Sequence, residues 1–276
     1  MKFFSADPQF FSEVPMRFSQ IYSSVSAYDL ASCPEVLGRE SVLVLNGTEP
    51  KELISTFTQK KCWNIIQKND ETFVSDLEKA ARLIEKPQLY FDAQAEYFVS
   101  EPQDMIFAEF NAPTDKERLK KTSEKFIENL KNQNVHESVN CIVEELYMNA
   151  VLDAPREAQQ MGRFEHPYVH GQKAKMTLVR DDQALAISCM DPYGSLNIQK
   201  FIRRMDEVYQ KGAGESLNIK RPGGAGLGCV IMFEHCSSMF LGVVPGKMTV
   251  VTCIIPLGLS YRQRAEVKKN LHLIEI

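Results

Sequence analysis

Short apolar runs alternate with amphipathic stretches through the first third of the chain. Residues 3–6, 24–27, 41–46 and 63–68 read as strands, and residues 50–60 and 71–84 as helices between and after them. Alternation of this kind argues a parallel sheet with helices on its faces. Past residue 104 the pattern changes. Helical spacing covers residues 115–133 and 136–154, two strands at 173–180 and 184–190 flank the turn Asp181-Asp182, and a basic helical run covers 199–211. Residues 239–244 and 248–256, joined by Pro245-Gly246-Lys247, read as a closing hairpin. Residues 85–104, with Pro87 and Pro102, read as a connection, and the pairs Tyr90-Phe91 and Tyr97-Phe98-Val99 predict that it packs. Residues 261–269 read as a charged, solvated helical stretch. The expected division is therefore a first lobe at 1–86, a connector at 87–104, a second lobe at 105–260 and a tail at 261–276.

Composition narrows the class. With 276 residues, 44% of them hydrophobic, the chain is long enough for two modest cores. A net charge of −4 without a basic block leaves no electrostatic footprint for nucleic acid. No apolar run reaches the ~18 residues of a membrane span. The start Met1-Lys2-Phe3-Phe4-Ser5-Ala6-Asp7 meets an acid too soon for a signal peptide, so a cytoplasmic protein is expected. The seven cysteines include no Cys-x-x-Cys and lie mostly in apolar runs, as at Cys189, Cys229 and Cys253, which reads as reduced core thiols.

Candidate chemistry starts at residues 144–155, where Glu145, Asn149 and Asp153 fall four residues apart. On a helix they share one face, while Leu146, Ala150, Val151 and Leu152 hold the helix to a core. A carboxylate and a carboxamide so placed suit orienting water and holding Mg²⁺; a solvated helix face is the plain alternative. Downstream, an apolar strand runs into Asp191-Pro192-Tyr193-Gly194-Ser195-Leu196. Then Arg221-Pro222-Gly223-Gly224-Ala225-Gly226-Leu227-Gly228 opens onto an apolar helix, either a phosphate cradle or a flexible loop. It lacks the Gly-Lys-Ser/Thr ending of a P-loop. His166 and His170 form the one close histidine pair, a metal site or an ordinary loop, and no Cys or carboxylate completes it.

In this order the motifs resemble the histidine-kinase-like ATPase superfamily (the Bergerat or GHKL fold), with the anti-sigma-factor serine kinases most similar, over residues 105–258. The resemblance implies ATP and Mg²⁺ as cofactors. It makes Glu145 the general base, Asn149 the metal ligand and Asp191 the acceptor for the adenine amino group. Gly194 stands for the first glycine box, and Gly224, Gly226, Leu227 and Gly228 for the second, which covers the phosphates. Thr249 would lie near the adenine, with Thr252 the alternative. Asp153, at a position where relatives often carry His, Lys or Asn, would on the same resemblance be a further nucleotide contact. Two departures stand out: the box glycine is displaced by one place to Gly194, and Ser195 replaces the second glycine. Residues 195–220 would form the ATP lid.

Residues 42–47 through 65–69 resemble the second half of a response-regulator receiver, with Lys68 matching the lysine that contacts the phosphoryl group. The acidic cluster is missing, and neither Asp7 nor Asp29 has a phosphoacceptor context, so phosphorylation is not expected. A generic flavodoxin-like lobe is the other reading. The expected fold class is α/β plus α+β: a receiver-like (flavodoxin-like) parallel lobe followed by a Bergerat-fold α/β sandwich with a mainly antiparallel mixed sheet. The function this implies is an anti-sigma-type serine/threonine kinase or ATP-dependent regulator. The alternative is a non-catalytic partner-binding or dimerisation module. Implied partners are a sigma factor, an anti-anti-sigma factor or another response component, with a homodimer left open and neither nucleic acid nor membrane expected.

Overall fold

Among the described residues ten strands build a single mixed sheet, in the order β2-β1-β3-β4-β10-β8-β9-β7-β6-β5. A computed structural model describes residues 1–5, 26–29, 34, 37–46, 49–68, 73–163, 172–212, 227–259, 263 and 267–276. The strands are β1 (Lys2–Ser5), β2 (Ser26–Asp29), β3 (Ser41–Leu45), β4 (Asn64–Gln67), β5 (Asp104–Phe110), β6 (Ala174–Arg180), β7 (Ala184–Asp191), β8 (Ser238–Val244), β9 (Met248–Pro256) and β10 (Asn270–Glu275). Strands β1 to β4 are parallel to one another, and β5, β6, β7, β9 and β8 are antiparallel in succession. The class is mixed α/β, as the patterning predicts. The order 2-1-3-4 is that of flavodoxin-like wound sheets.

Helices cover both faces. On the front lie α1 (Pro50–Gln59), α4 (Lys116–Ile127), α5 (Gln133–Met148), α6 (Ala154–Gln160), α7 (Ile198–Lys211) and α8 (Leu227–His235). The back carries α2 (Phe73–Glu85), α3 (Gln88–Ala93) and a 3₁₀ turn at Gln94–Phe98. Helix α7 shows why these segments fold as they do. Ile198, Phe201, Ile202, Met205 and Val208 recur at helical spacing and are buried, worth ~2 kcal/mol each in apolar area removed from water. Asn197 caps its first turn by accepting from the Lys200 amide at 2.9 Å.

Four findings differ from or sharpen the patterning. Residues 270–275, expected in the tail, form β10, antiparallel to β4 and parallel to β8, so one sheet runs through both halves of the chain. Leu271 and Leu273 face the front core from this strand. Residues 104–110, which sequence assigned to no element, form the edge strand β5. The connector packs as expected. The Tyr90 hydroxyl sits 2.9 Å from Thr252 Oγ1, and Gly242 is the residue that leaves space for the Tyr90 ring. The solvated stretch also ends differently, because buried Lys269 donates to the carbonyls of Phe233, Glu234 and Cys236 at 3.0, 2.7 and 2.7 Å. That ammonium closes the C-terminus of α8, where the helix dipole favours a cation.

No helix among the described residues is long and apolar enough to cross a membrane.

Candidate functional site

The stripe predicted at 145, 149 and 153 forms, but not on one regular helix. Helix α5 stays α-helical through the Asn149 amide, which donates to the Glu145 carbonyl, and then widens into a π turn over Asn149–Asp153. Pro155 gives the physical reason. A proline inside a helix lacks its N–H and crowds the carbonyl four residues back, and the wider turn relieves that conflict at the start of α6. The turn leaves Glu145, Asn149 and Asp153 half-buried on one side of the helix. None of the three side chains makes a hydrogen bond or ion pair among the described residues. Burial pushes the Glu145 carboxyl above its ordinary range, reinforced by Glu144 and Asp153 and opposed by Lys116. Burial likewise raises Asp153, with Glu157 adding to it and Arg156, Arg204 and Lys200 opposing it.

The second part of the site comes from the sheet. The Cys189 thiol reaches the Leu146 carbonyl at 3.8 Å, which sets α5 across the front of β7. In β7, Leu185, Ile187 and Cys189 face the front core, so Asp191 continues that face at the strand end. In β9, Val251, Cys253 and Ile255 face the same way, and Thr249 stands directly opposite Asp191. Period-two alternation thus separates the two candidate threonines. Thr252 points to the back, bonded to Tyr90 and Ser188; Thr249 shares the front with Asp191.

Asp191 is buried, which pushes its carboxyl up to about 7. The Tyr193 amide, 2.9 Å from Oδ1, the Thr249 hydroxyl and the Gly194 amide pull in the other direction. Thr249 Oγ1 lies near enough to favour the carboxylate, yet it is buried and completes no hydrogen bond of good geometry among the described residues.

The first glycine box is rigid. Gly194 has φ of +55°, and a Cβ there would lie 2.7 Å from the Gly246 and Lys247 amides of the β8–β9 turn. Its carbonyl accepts from Gly246 at 3.1 Å and from the Arg163 guanidinium at 3.0 Å. Ser195, in place of the expected glycine, donates to the Ala154 carbonyl at 2.9 Å and so ties this loop to the start of α6.

Of the second box, Leu227 and Gly228 form the first turn of α8, whereas Gly224, Gly226 and the last part of the lid segment, 213–220, lie outside the described residues, as do His166 and His170. Gly228 abuts the motif helix: a Cβ there would fall inside the Glu145 carboxylate. The structure therefore brings together Glu145, Asn149, Asp153 and Gly228 at the helices, and Asp191, Gly194 and Thr249 at the strand ends. Sequence reading missed Lys200 and Arg204 as individual residues. They place positive charge near Asp153 from α7, and Lys200 also pairs with Glu157 at 3.1 Å. Their signal was the basic run already noted at 199–211.

Glu145 and Asn149 suit Mg²⁺ as oxygen donors that are not otherwise engaged. Among the described residues no group of three or more His, Cys, Asp or Glu forms a protein cage. Mg²⁺ commonly takes one or two protein oxygens and completes its shell with water and phosphate.

No family model and no curated protein matches this sequence. Among solved structures the chain is similar to the SiaB-SiaC complex from Pseudomonas aeruginosa, at 13% identity and a TM-score of 0.38, over 66% of this chain and 99% of the other. A likeness at that level carries no argument about the site, which rests on the residues above.

Proposed function

We propose that this chain is a signalling regulator that binds ATP with Mg²⁺ between the α5–π turn, α7, α8 and the front ends of β7 and β9, and that it acts as an anti-sigma-type serine/threonine kinase. The observation that carries this reading is the pair Asp191 and Thr249: a buried acid opposite a buried hydroxyl on the neighbouring strand, on the sheet face that lies under the Glu145–Asn149 helix. Asp191 would accept from the adenine amino group, with Thr249 completing the edge. The first turn of α8, at Leu227 and Gly228, would offer backbone amides and the positive end of its dipole to phosphate. Asn149 would hold the metal, which supplies charge neutralisation at the phosphates. Glu145, its carboxyl raised by burial, would take the proton of the acceptor hydroxyl. Lys200 and Arg204 would add positive charge at the Asp153 end.

A second reading keeps the binding and drops the turnover. It is favoured by the first box, where Gly194 and Ser195 are fastened to the hairpin turn and to Ala154. A loop so tied suits a site that holds nucleotide as a switch for a protein partner. Calorimetry with ATP, with and without Mg²⁺, tests the shared part: metal-dependent binding by the native protein, lost in Asn149→Ala, is expected. Absence of binding would overturn both readings. Glu145→Gln then separates them. A kinase keeps ATP affinity and loses about 100-fold or more in phosphoryl transfer, whereas a switch shows no transfer in either protein and partner binding that follows ATP.

A further inference from the structure

A second pocket lies on the back of the sheet, behind the seam where β10 joins β4 to β8. It holds about 80 Å³ and opens to solvent, room for a fragment rather than for the whole ligands whose sites run ~300–1,000 Å³. Leu83 and Ile84 of α2 form one wall, and Phe240 and His272 another. Trp63, the single tryptophan of the chain, also lines it. Arg39 lies over the indole, 4.4 Å from its centre, and pairs with Glu275 at 3.3 Å, so the charges at the rim cancel.

The hydrogen bonds at the floor fix which way His272 faces chemically. Asn64 donates from Nδ2 to the carbonyls of Arg39 and Ser41, at 3.1 and 3.2 Å, which identifies its other side-chain atom as the oxygen. That Oδ1 lies 3.2 Å from His272 Nδ1. An oxygen acceptor there requires the proton on Nδ1. The ring is 2% exposed, stacks on Phe240 at 4.5 Å and is held neutral, since burial pushes it down to about 3. In a neutral ring with Nδ1 protonated, Nε2 is a bare acceptor. It has no partner among the described residues, although the ring lines the cavity.

We propose that this pocket binds a small, uncharged, planar molecule carrying an N–H or O–H donor, its body between Trp63 and the α2 wall and its donor on His272 Nε2. The apolar walls and self-neutralised rim select against charge, and the lone acceptor selects for a donor. The site is on the opposite face from the proposed nucleotide site and does not depend on that reading.

Benzimidazole and 1-methylbenzimidazole differ by the donor and test the inference on the full chain, with Trp63 fluorescence reporting occupancy. Benzimidazole should give a saturable change, and the methylated analogue should bind about tenfold or more weakly, as expected for a buried acceptor left unpaired. His272→Phe should remove the discrimination. Ile84→Phe, which adds bulk to the α2 wall and leaves the histidine network alone, should weaken both probes and keeps the test open if the first variant does not fold. No saturable change with benzimidazole at millimolar concentration would overturn the proposal. So would equal affinity for the two probes, or binding untouched by both substitutions.

Discussion

Asp191→Asn is expected to move stability and nucleotide affinity in opposite directions. Burial raises the Asp191 carboxyl from the ordinary 3.8 to about 7 in the folded protein. For an acid raised in this way, the stabilising form is the protonated one. Its contribution is complete below the unfolded value near pH 4 and is lost as pH rises through about 7. At 1.36 kcal/mol per unit, a gap of roughly three units amounts to ~4 kcal/mol of penalty above pH 7. The carboxamide never ionises, and its oxygen still accepts from the Tyr193 amide. The variant should therefore match the native protein near pH 4 in urea denaturation and exceed it by ~2–4 kcal/mol at pH 8. Calorimetry should show the reverse for ATP. The carboxamide N–H₂ would confront the adenine amino group, donor against donor, and affinity should fall by about 100-fold. A stability difference that stays flat with pH, or a variant weaker than native at pH 8, would refute the burial argument. Native ATP affinity in the variant would refute the role assigned to Asp191 in the nucleotide site.

Gly228→Ala places a methyl group against the Glu145 carboxylate and should cost ~1–3 kcal/mol in denaturation. Combining it with Glu145→Ala should recover part of that loss, and strict additivity in the double-mutant cycle would show that the two residues do not touch. Lys269→Met removes the three charge-assisted bonds that close α8. It should lower stability by ~2–3 kcal/mol, with faster amide exchange confined first to residues 227–235; protection unchanged there would count against the cap. Gly194→Ala combines a positive φ with backbone already in contact. A loss of ~1–3 kcal/mol is expected, and a neutral thermal shift would mean that the hairpin turn yields easily.

Much of the fold was legible because the signals are local. The spacing of Ile198, Phe201, Ile202 and Met205 marks a helix whatever it packs on, and the alternation in β7 and β9 marks strands whatever they pair with. The proline that widens the helix over Asn149–Asp153 was visible at Pro155, but its effect was not, because the phase of the following turn depends on how the backbone relieves the clash. Strand β10 escaped notice for a different reason. Its six residues follow a charged stretch, and they become a central strand only by pairing with Asn64–Ile66 on one side and Ser238–Val243 on the other, hundreds of residues and tens of residues away respectively.

The sequence by itself determined the chemistry on offer: a carboxylate and a carboxamide one helical turn apart, an acid at a strand end, a glycine cluster before an apolar helix. Only the tertiary structure decided which of these meet. Register put Thr249 rather than Thr252 on the face of Asp191, because a residue's face depends on its parity and its neighbour on the pairing, and pairing is a non-local choice. The same long-range pairing carried His272 into the seam of the sheet, beside Asn64 and lining a cavity that no local pattern in residues 261–276 foretells.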